Sequence, residues 1–392
     1  MFEATHTGES MPRGPFLQSG CRQLVVMVLA WAVCLGVVHG QVESPTSQAP
    51  TQDCRIAFDL GSSGVRVAVS GMSQGSQMPS RDIDLLTPLM QGQGFQPLLP
   101  AVESALRELP KQAKLPSTCR QLGGGFSAWR LAWRQDDAQL ANHLGILREQ
   151  TGVAVLIIPA VVEGRYGYDS ARQALGSRLK TSHILDIGGG SMQVAGFDRS
   201  FGIELGQKSW SHQLCRTLSR DAGAACQLLP LQVLELQQAR DLALQQLQAL
   251  PAQVGNGTLT AISRPVTRGV RSALHGLGMA QGDVISLQEL SRAIDRLSAG
   301  SLTELVALTD LPVNFAPYVV PDMLLVEAVL RAMGLTSLAL AETPINNLPA
   351  LLRDERAFEW ARHHSCYVQR LRERGPAAYF SDPADCAKPS WP

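Results

Sequence analysis

Short apolar runs that break at glycine, serine or aspartate occur at residues 55–69 (RIAFDLGSSGVRVAV), 153–158 and 183–196 (HILDIGGGSMQVAG). Their pattern and turn residues predict buried strands, two of them entering tight Gly-rich turns. Residues 228–250 (LLPLQVLELQQARDLALQQLQAL) carry apolar positions at helical spacing. That spacing predicts an amphipathic helix with its glutamines toward solvent. Residues 286–309 and 322–334 read as further helices, and the charge-dense stretch 353–374 (RDERAFEWARHHSCYVQRLRER) as a C-terminal one. The adjacent His363 and His364 point to different sides of that helix and are expected in solvent.

A different pattern marks the N-terminus. Residues 24–38 (LVVMVLAWAVCLGVV) form an uninterrupted apolar run, with Arg13 and Arg22 before it and the small-residue triplet Val38-His39-Gly40 at its end. The run is shorter than the ~20 residues a spanning helix needs. Cations, a short apolar core and a small-residue exit are the anatomy of a secretory signal peptide. Residues 1–40 are therefore read as an export signal, with the periplasm as the expected compartment and an uncleaved membrane anchor as the alternative. Residues 41–53 (QVESPTSQAPTQD) read as a flexible linker.

Composition narrows the classes without choosing one. The 392 residues are 45% hydrophobic and 17% charged, and 34 Lys+Arg balance 34 Asp+Glu. This is a globular balance, long enough for two or three domains, and it lacks the basic surplus of a nucleic-acid binder. Past the signal, Cys54, Cys119, Cys215, Cys226, Cys366 and Cys386 remain, an even number that in an exported chain suggests disulfides. Loop length favours Cys215 with Cys226 and Cys366 with Cys386, which leaves Cys54 with Cys119, but spacing alone does not fix the connectivity. No C-x-x-C spacing supports a zinc site instead.

The two Gly-rich turns are a repeat. Aligning Asp59 with Asp186 gives one pattern in both copies: Asp, apolar, Gly, three small residues, apolar, polar, Val, Ala. Each carboxylate stands near the end of an apolar strand, and Gly61, Gly64, Gly188, Gly189 and Gly190 permit close backbone approach. Such turns aim backbone N–H groups at one point and make an anion nest, to which Ser62, Ser63 and Ser191 add hydroxyl donors. A carboxylate beside bound phosphate would repel it unless a hard cation lay between them, and Mg²⁺ is the usual solution. Glu163, just after the apolar run 153–158, stands at a strand-to-helix junction. It is either a charge at a helix N-terminus or a base within reach of the phosphate pocket.

Asp59-Leu60-Gly61-Ser62-Ser63 and Asp186-Ile187-Gly188-Gly189-Gly190-Ser191 resemble the two phosphate-binding loops of the actin-like ATPase superfamily. Within it the chain resembles the exopolyphosphatase/guanosine pentaphosphate phosphohydrolase (Ppx/GppA) family. Ala128-Trp129-Arg130-Leu131-Ala132, Glu163-Gly164-Arg165-Tyr166-Gly167-Tyr168, Leu205-Gly206 and Pro321-Asp322-Met323-Leu324-Leu325 fall in that family's order, the last as a helix-opening segment. The resemblance implies an α/β fold of two ribonuclease H-like domains with a cleft between them. The boundaries expected are domain I at 54–178, domain II at 179–350 and a C-terminal helix and tail at 351–392. It also implies Mg²⁺-dependent hydrolysis of a terminal phosphoanhydride of polyphosphate or a polyphosphorylated nucleotide. Asp59 and Asp186 would hold the metal, and Glu163 would be the general base. Gly61, Ser62, Ser63, Gly188, Gly189, Gly190, Ser191, Gln193 and Arg130 would contact phosphate.

The chain departs from the family pattern in places. Gln193 stands where an acid is usual, a form also seen in ecto-apyrases, and Val162 precedes Glu163 where another acid is frequent. Residues 267–271 match the expected Gly-Gly-Thr loop only in part, and Arg264, Arg268 and Arg271 would share one helix face there. Two alternatives stay open: an apyrase-like nucleotidase, and a non-catalytic phosphate sensor that kept the loops. A homodimer is one conceivable assembly, and membrane contact would come only through an uncleaved signal segment.

Overall fold

Each copy of the repeat folds as an antiparallel hairpin, and each hairpin belongs to its own sheet in the computed structural model. The structure describes residues 54–386 apart from 72–78, 221–225, 280–281, 310, 312 and 314. The signal and linker segments lie outside the described residues. No described helix is long and apolar enough to cross a membrane.

The first sheet contains β1 (Arg55–Leu60), β2 (Gly64–Val69), β3 (Ser80–Asp82), β4 (Arg120–Gly125) and β5 (Ala154–Ile157), in the order β3-β2-β1-β4-β5. The second contains β6 (His183–Ile187), β7 (Met192–Ala195), β8 (Ser200–Ile203), β9 (Leu259–Ala261), β10 (Val284–Ser286) and β11 (Ser337–Leu340), in the order β10-β11-β9-β6-β7-β8. In both sheets the hairpin's first strand pairs in parallel with a later strand, β1 with β4 and β6 with β9. The repeat holds to the residue: Asp59 pairs with Arg66 across one hairpin and Asp186 with Gln193 across the other.

β4 reads RQLGGG, and a glycine run is a poor central strand on propensity. Its neighbours supply the missing bulk. A Cβ at Gly123 would lie 2.8 Å from Leu60 Cδ1, and one at Gly125 would lie 2.7 Å from Trp129 Cγ. Gly123 thus makes room for the neighbouring strands, and Gly125 lets the following helix, Ser127–Gln135, fold tightly back on β4.

One helix, Ala160–Leu175, is shared by the two halves of the molecule. It leaves β5, and its Val162 and Tyr166 belong to the first core while Tyr168 and Ala171 pack with Ile184 and Ala195 of the second sheet and with Ile262, just past β9. Glycines permit the contact: a Cβ at Gly202 would lie 2.7 Å from the Ala160 carbonyl oxygen, and one at Gly164 would lie 3.1 Å from Gln193 Cβ.

The chain beyond β11 returns to the first core, where Leu351, Phe358, Trp360, Tyr367 and Tyr379 are buried with Phe58 and Trp129. Tyr166 donates to Asp354 Oδ2 at 2.5 Å, and Tyr379 bonds the same carboxylate. The stretch 353–374 is two helices, Glu355–Arg362 and His364–Arg374, not one. The break at His363 turns His364 inward, against its expected exposure. His364 Nε2 lies 3.1 Å from the Val155 carbonyl, and burial pushes its pKa down to about 4. The helix expected at 228–250 is shorter, Val233–Gln246, followed by Leu250–Val254. Residues 286–309 divide into Leu287–Ser298 and Leu302–Thr309 around Gly300. The helix expected from residue 322 starts upstream and runs Ala316–Ala332, because the apolar Ala316, Val319 and Val320 are buried with the second core. Pro321 therefore lies inside that helix, not at its opening. Disulfides join Cys54–Cys119, Cys215–Cys226 and Cys366–Cys386.

Trp360 is fully buried, and its Nε1 donates to the Tyr379 carbonyl at 3.1 Å. Trp360→Ala is expected to destabilise the protein by about 3–5 kcal/mol in urea unfolding, the range for large-to-small core changes. A loss below about 1 kcal/mol would mean that the C-terminal helices are an appendage and not part of the first core.

Candidate active site

Both hairpin turns open into one cleft of about 690 Å³. From the first hairpin it is lined by Asp59, Gly61, Ser62, Ser63 and Arg66, and from the second by Asp186, Gly188, Gly189 and Ser191. Glu163 joins them from the first turn of the shared helix.

The turns approach each other closely. A Cβ at Gly189 would lie 2.9 Å from Ser62 Cβ, and one at Gly190 would lie 2.9 Å from both Leu86 Cδ2 and Ser127 Oγ. Ser62 Oγ and Ser127 Oγ share a 2.6 Å hydrogen bond, so the helix after β4 braces the first turn. The second turn is anchored through its carbonyls. Gly188 accepts from Gln207 N–H at 2.9 Å, and Gly189 accepts from Lys208 N–H at 2.7 Å. Among the described residues, no protein acceptor takes the backbone N–H of Ser62, Ser63, Gly189, Gly190 or Ser191. Four of these residues, Ser62, Ser63, Gly189 and Ser191, line the cleft, and unpaired amides at a cleft are donors for an anion.

The carboxylates form a second group. Burial raises the Asp59 carboxyl above its ordinary range, partly offset by Arg66, whose Nη1 lies 3.4 Å from Oδ2. Burial, then the charges of Glu163 and Asp59, push Asp186 up to about 7. Burial likewise pushes Glu163 up to about 7, with Arg130 pulling down and Glu204 and Asp59 pushing up. Three acids thus face one another with few cations among them, an arrangement that favours a proton or a metal ion. No three metal-ligating side chains among the described residues come close enough to enclose an ion by themselves. Two opposed aspartates with water and phosphate oxygens suit Mg²⁺, which keeps several waters and dispenses with an all-protein cage.

Glu163 is fixed on one oxygen. Oε2 accepts from Arg130 Nη2 at 2.8 Å, from Gln193 Nε2 at 3.1 Å and, at the long distance of 3.4 Å, from Ser191 Oγ. Among the described residues, no donor reaches Oε1. Arg130 and Gln193, expected to contact phosphate, are not among the residues lining the cleft. Arg130 is buried and occupied by Glu163, by the Ile158 carbonyl at 2.7 Å and by Glu204. Gln193 donates to Glu163 and to Ser191 Oγ at 2.9 Å. Both orient the carboxylate from behind. Gly190 also faces protein, against Leu86 and Ser127.

The structure adds residues that the sequence did not single out. Ser127, Asp84, Gln207, Lys208 and Tyr318 line the cleft, and Glu204 shares Arg130 with Glu163. Ser127 alone had a signal, being next to the quoted run 128–132. Of the expected arginine face, Arg264 lines the cleft, whereas Arg271 turns to Asp283 at 2.8 Å. The turn after Arg264 is a π-helix, Pro265–Val270, which spoils α-helical spacing.

In the metal-free protein, the Glu163 carboxyl is expected to titrate near 7 by ¹³C NMR. Because Arg130 lowers that value, Arg130→Gln is expected to move it upward, so that Glu163 keeps its proton to higher pH. An unmoved midpoint would show that the guanidinium does not set the charge of Glu163.

The sequence profile of the Ppx/GppA phosphatase family matches residues 132–345, more than half of the chain. Among solved structures, the chain is similar to the Aquifex aeolicus Ppx/GppA phosphatase, with 16% identity and a TM-score of 0.56 over 76% of this chain and 98% of that one. It is also similar to an exopolyphosphatase from Cytophaga hutchinsonii, with 15% identity and a TM-score of 0.54 over 76% of this chain and 96% of that one. At such identities the likeness is one of fold, the two-domain actin-like α/β architecture. No curated protein matches the chain.

Proposed function

The chain belongs to the Ppx/GppA phosphatase family, and we propose that its cleft hydrolyses the terminal phosphoanhydride of inorganic polyphosphate or of a polyphosphorylated nucleotide. The observation that carries this reading is Glu163 Oε1. It is the one oxygen of a firmly held carboxylate left without a donor among the described residues, at a cleft lined by both turns.

Hydrolysis of a phosphoanhydride asks for positioning, charge neutralisation and an oriented water more than for covalent chemistry. The free amides of Ser62, Ser63, Gly189 and Ser191 would hold the terminal phosphate group. Asp59 and Asp186 would hold Mg²⁺ largely through waters, and the ion would supply charge neutralisation on the phosphate oxygens. Arg130, Gln193 and Ser191 keep Glu163 in one rotamer, so that Oε1 can accept a proton from a water aimed at the terminal phosphorus. A base whose pKa lies near the working pH suits that task. Gln193 serves Glu163 in this arrangement, so its presence does not by itself argue for a nucleotidase.

Phosphate release from long-chain polyphosphate, tripolyphosphate, ATP and guanosine pentaphosphate, with Mg²⁺, tests the reading. Release is expected to fall about 10²–10⁴-fold in Glu163→Gln and to stop on chelation of the metal. Binding without release from any of these would leave a phosphate sensor in place of a hydrolase.

We also propose that residues 1–40 export the protein, because cations, an apolar core and small residues follow one another there in that order. N-terminal sequencing of protein recovered from the periplasm is expected to begin at Gln41. An intact N-terminus on membrane-bound protein would mean that the segment is an anchor.

A further inference from the structure

Lys208 occupies a place that its role in the fold does not explain. It sits in the first turn of the helix Gln207–Thr217, and its N–H anchors the second turn at Gly189. Its side chain crosses the cleft to the other half of the molecule. There Nζ donates to Asp84 Oδ1 at 3.0 Å and to Thr87 Oγ1 at 3.3 Å. Lys208 and Asp84 both line the cleft. The lysine side chain is 20% exposed and the aspartate 49%, so the cation is the more enclosed partner and the anion the more solvated. Partial burial would raise the Asp84 carboxyl, but bonds from Thr87 and Lys208 outweigh it and hold the group below its ordinary range. Asp84 therefore presents a full negative charge to Lys208. A half-exposed ion pair adds little to folding stability.

Taking the cleft as a phosphoanhydride site, we propose that Lys208 is a substrate-binding residue, and that Asp84 holds the place of a phosphate oxygen until a polyphosphate chain displaces it. The exchange replaces one oxyanion by another on the same ammonium. It needs no movement of the second turn, because the lysine backbone is already bonded to that turn. Asp84 then acts as an internal competitor against chains long enough to reach Lys208 from the turns, and leaves single phosphates held at the turns unaffected.

Exchange sets the two partners in opposition. Lys208→Ala removes a cation from the substrate and is expected to raise the Kd for tripolyphosphate about tenfold, the scale of one hydrogen bond to a charged group. Asp84→Asn removes the competitor and is expected to lower that Kd about threefold, as when a competing state is taken out of the free protein. Lys208→Arg should keep most of the affinity. A simple tie between the two halves would instead make both losses weaken binding. Calorimetric titration of tripolyphosphate with Mg²⁺ into the Glu163→Gln protein reads these shifts without turnover. Opposite shifts support the exchange. Same-direction shifts, no shift, or no binding by any variant would overturn it. Asp84→Asn alone decides the matter if the lysine variants fail to fold, since removing a purely structural tie does not tighten binding. Hydrolysis by the unsubstituted protein is measured separately. Its absence alongside opposite shifts would sink the hydrolase reading while leaving the exchange intact.

Discussion

Negative charge at the mouth of two glycine turns is the constraint on which the rest of the structure depends. Asp59, Asp186 and Glu163 raise one another's pKa values or are raised by burial, and Arg66 and Arg130 oppose them only in part. Burying unpaired charge is costly, so such a cluster persists only where function or a bound cation offsets it. The arrangement makes sense for a site that takes up a divalent cation and a polyanion together, since each neutralises what the other leaves exposed.

The repeated hairpins explain how one sequence pattern supplies two unlike walls. Register places Arg66 opposite Asp59 and Gln193 opposite Asp186. The first hairpin therefore holds its own countercharge, at 3.4 Å, while the second hairpin's polar partner turns to Glu163. One copy keeps its aspartate partly neutralised. The other gives its side chain to orienting Glu163.

The site's loops were legible because their demands are local. A turn that brings backbone amides to one point needs glycine and small residues in sequence order, and Asp59 through Ser63 and Asp186 through Ser191 show that order directly. Pairings between distant residues left no such trace. Nothing near Arg130 in sequence marks Glu204 and the Ile158 carbonyl as its partners, so its guanidinium read as ligand-facing when it is buried. Propensity carries no sign of β4, where Gly123, Gly124 and Gly125 suit a loop and tertiary neighbours make a central strand. His364 was misplaced for a related reason. Dense charge around it suggested an exposed helix, and the break at His363, which the charge pattern does not signal, turned it inward.

The shared helix joins these pieces into one mechanism. Ala160–Leu175 starts from the last strand of the first sheet and packs its glycine-lined face on the second. Glu163 is therefore not the property of either half. Its Oε2 is held by Arg130 from the first and by Gln193 and Ser191 from the second, so a change in the angle between the halves would have to break bonds to Glu163. Glu163 and the second turn consequently move together. Adjustment to substrates of different length is then left to the side chains at the rim, where Lys208 already holds an anion that can be exchanged.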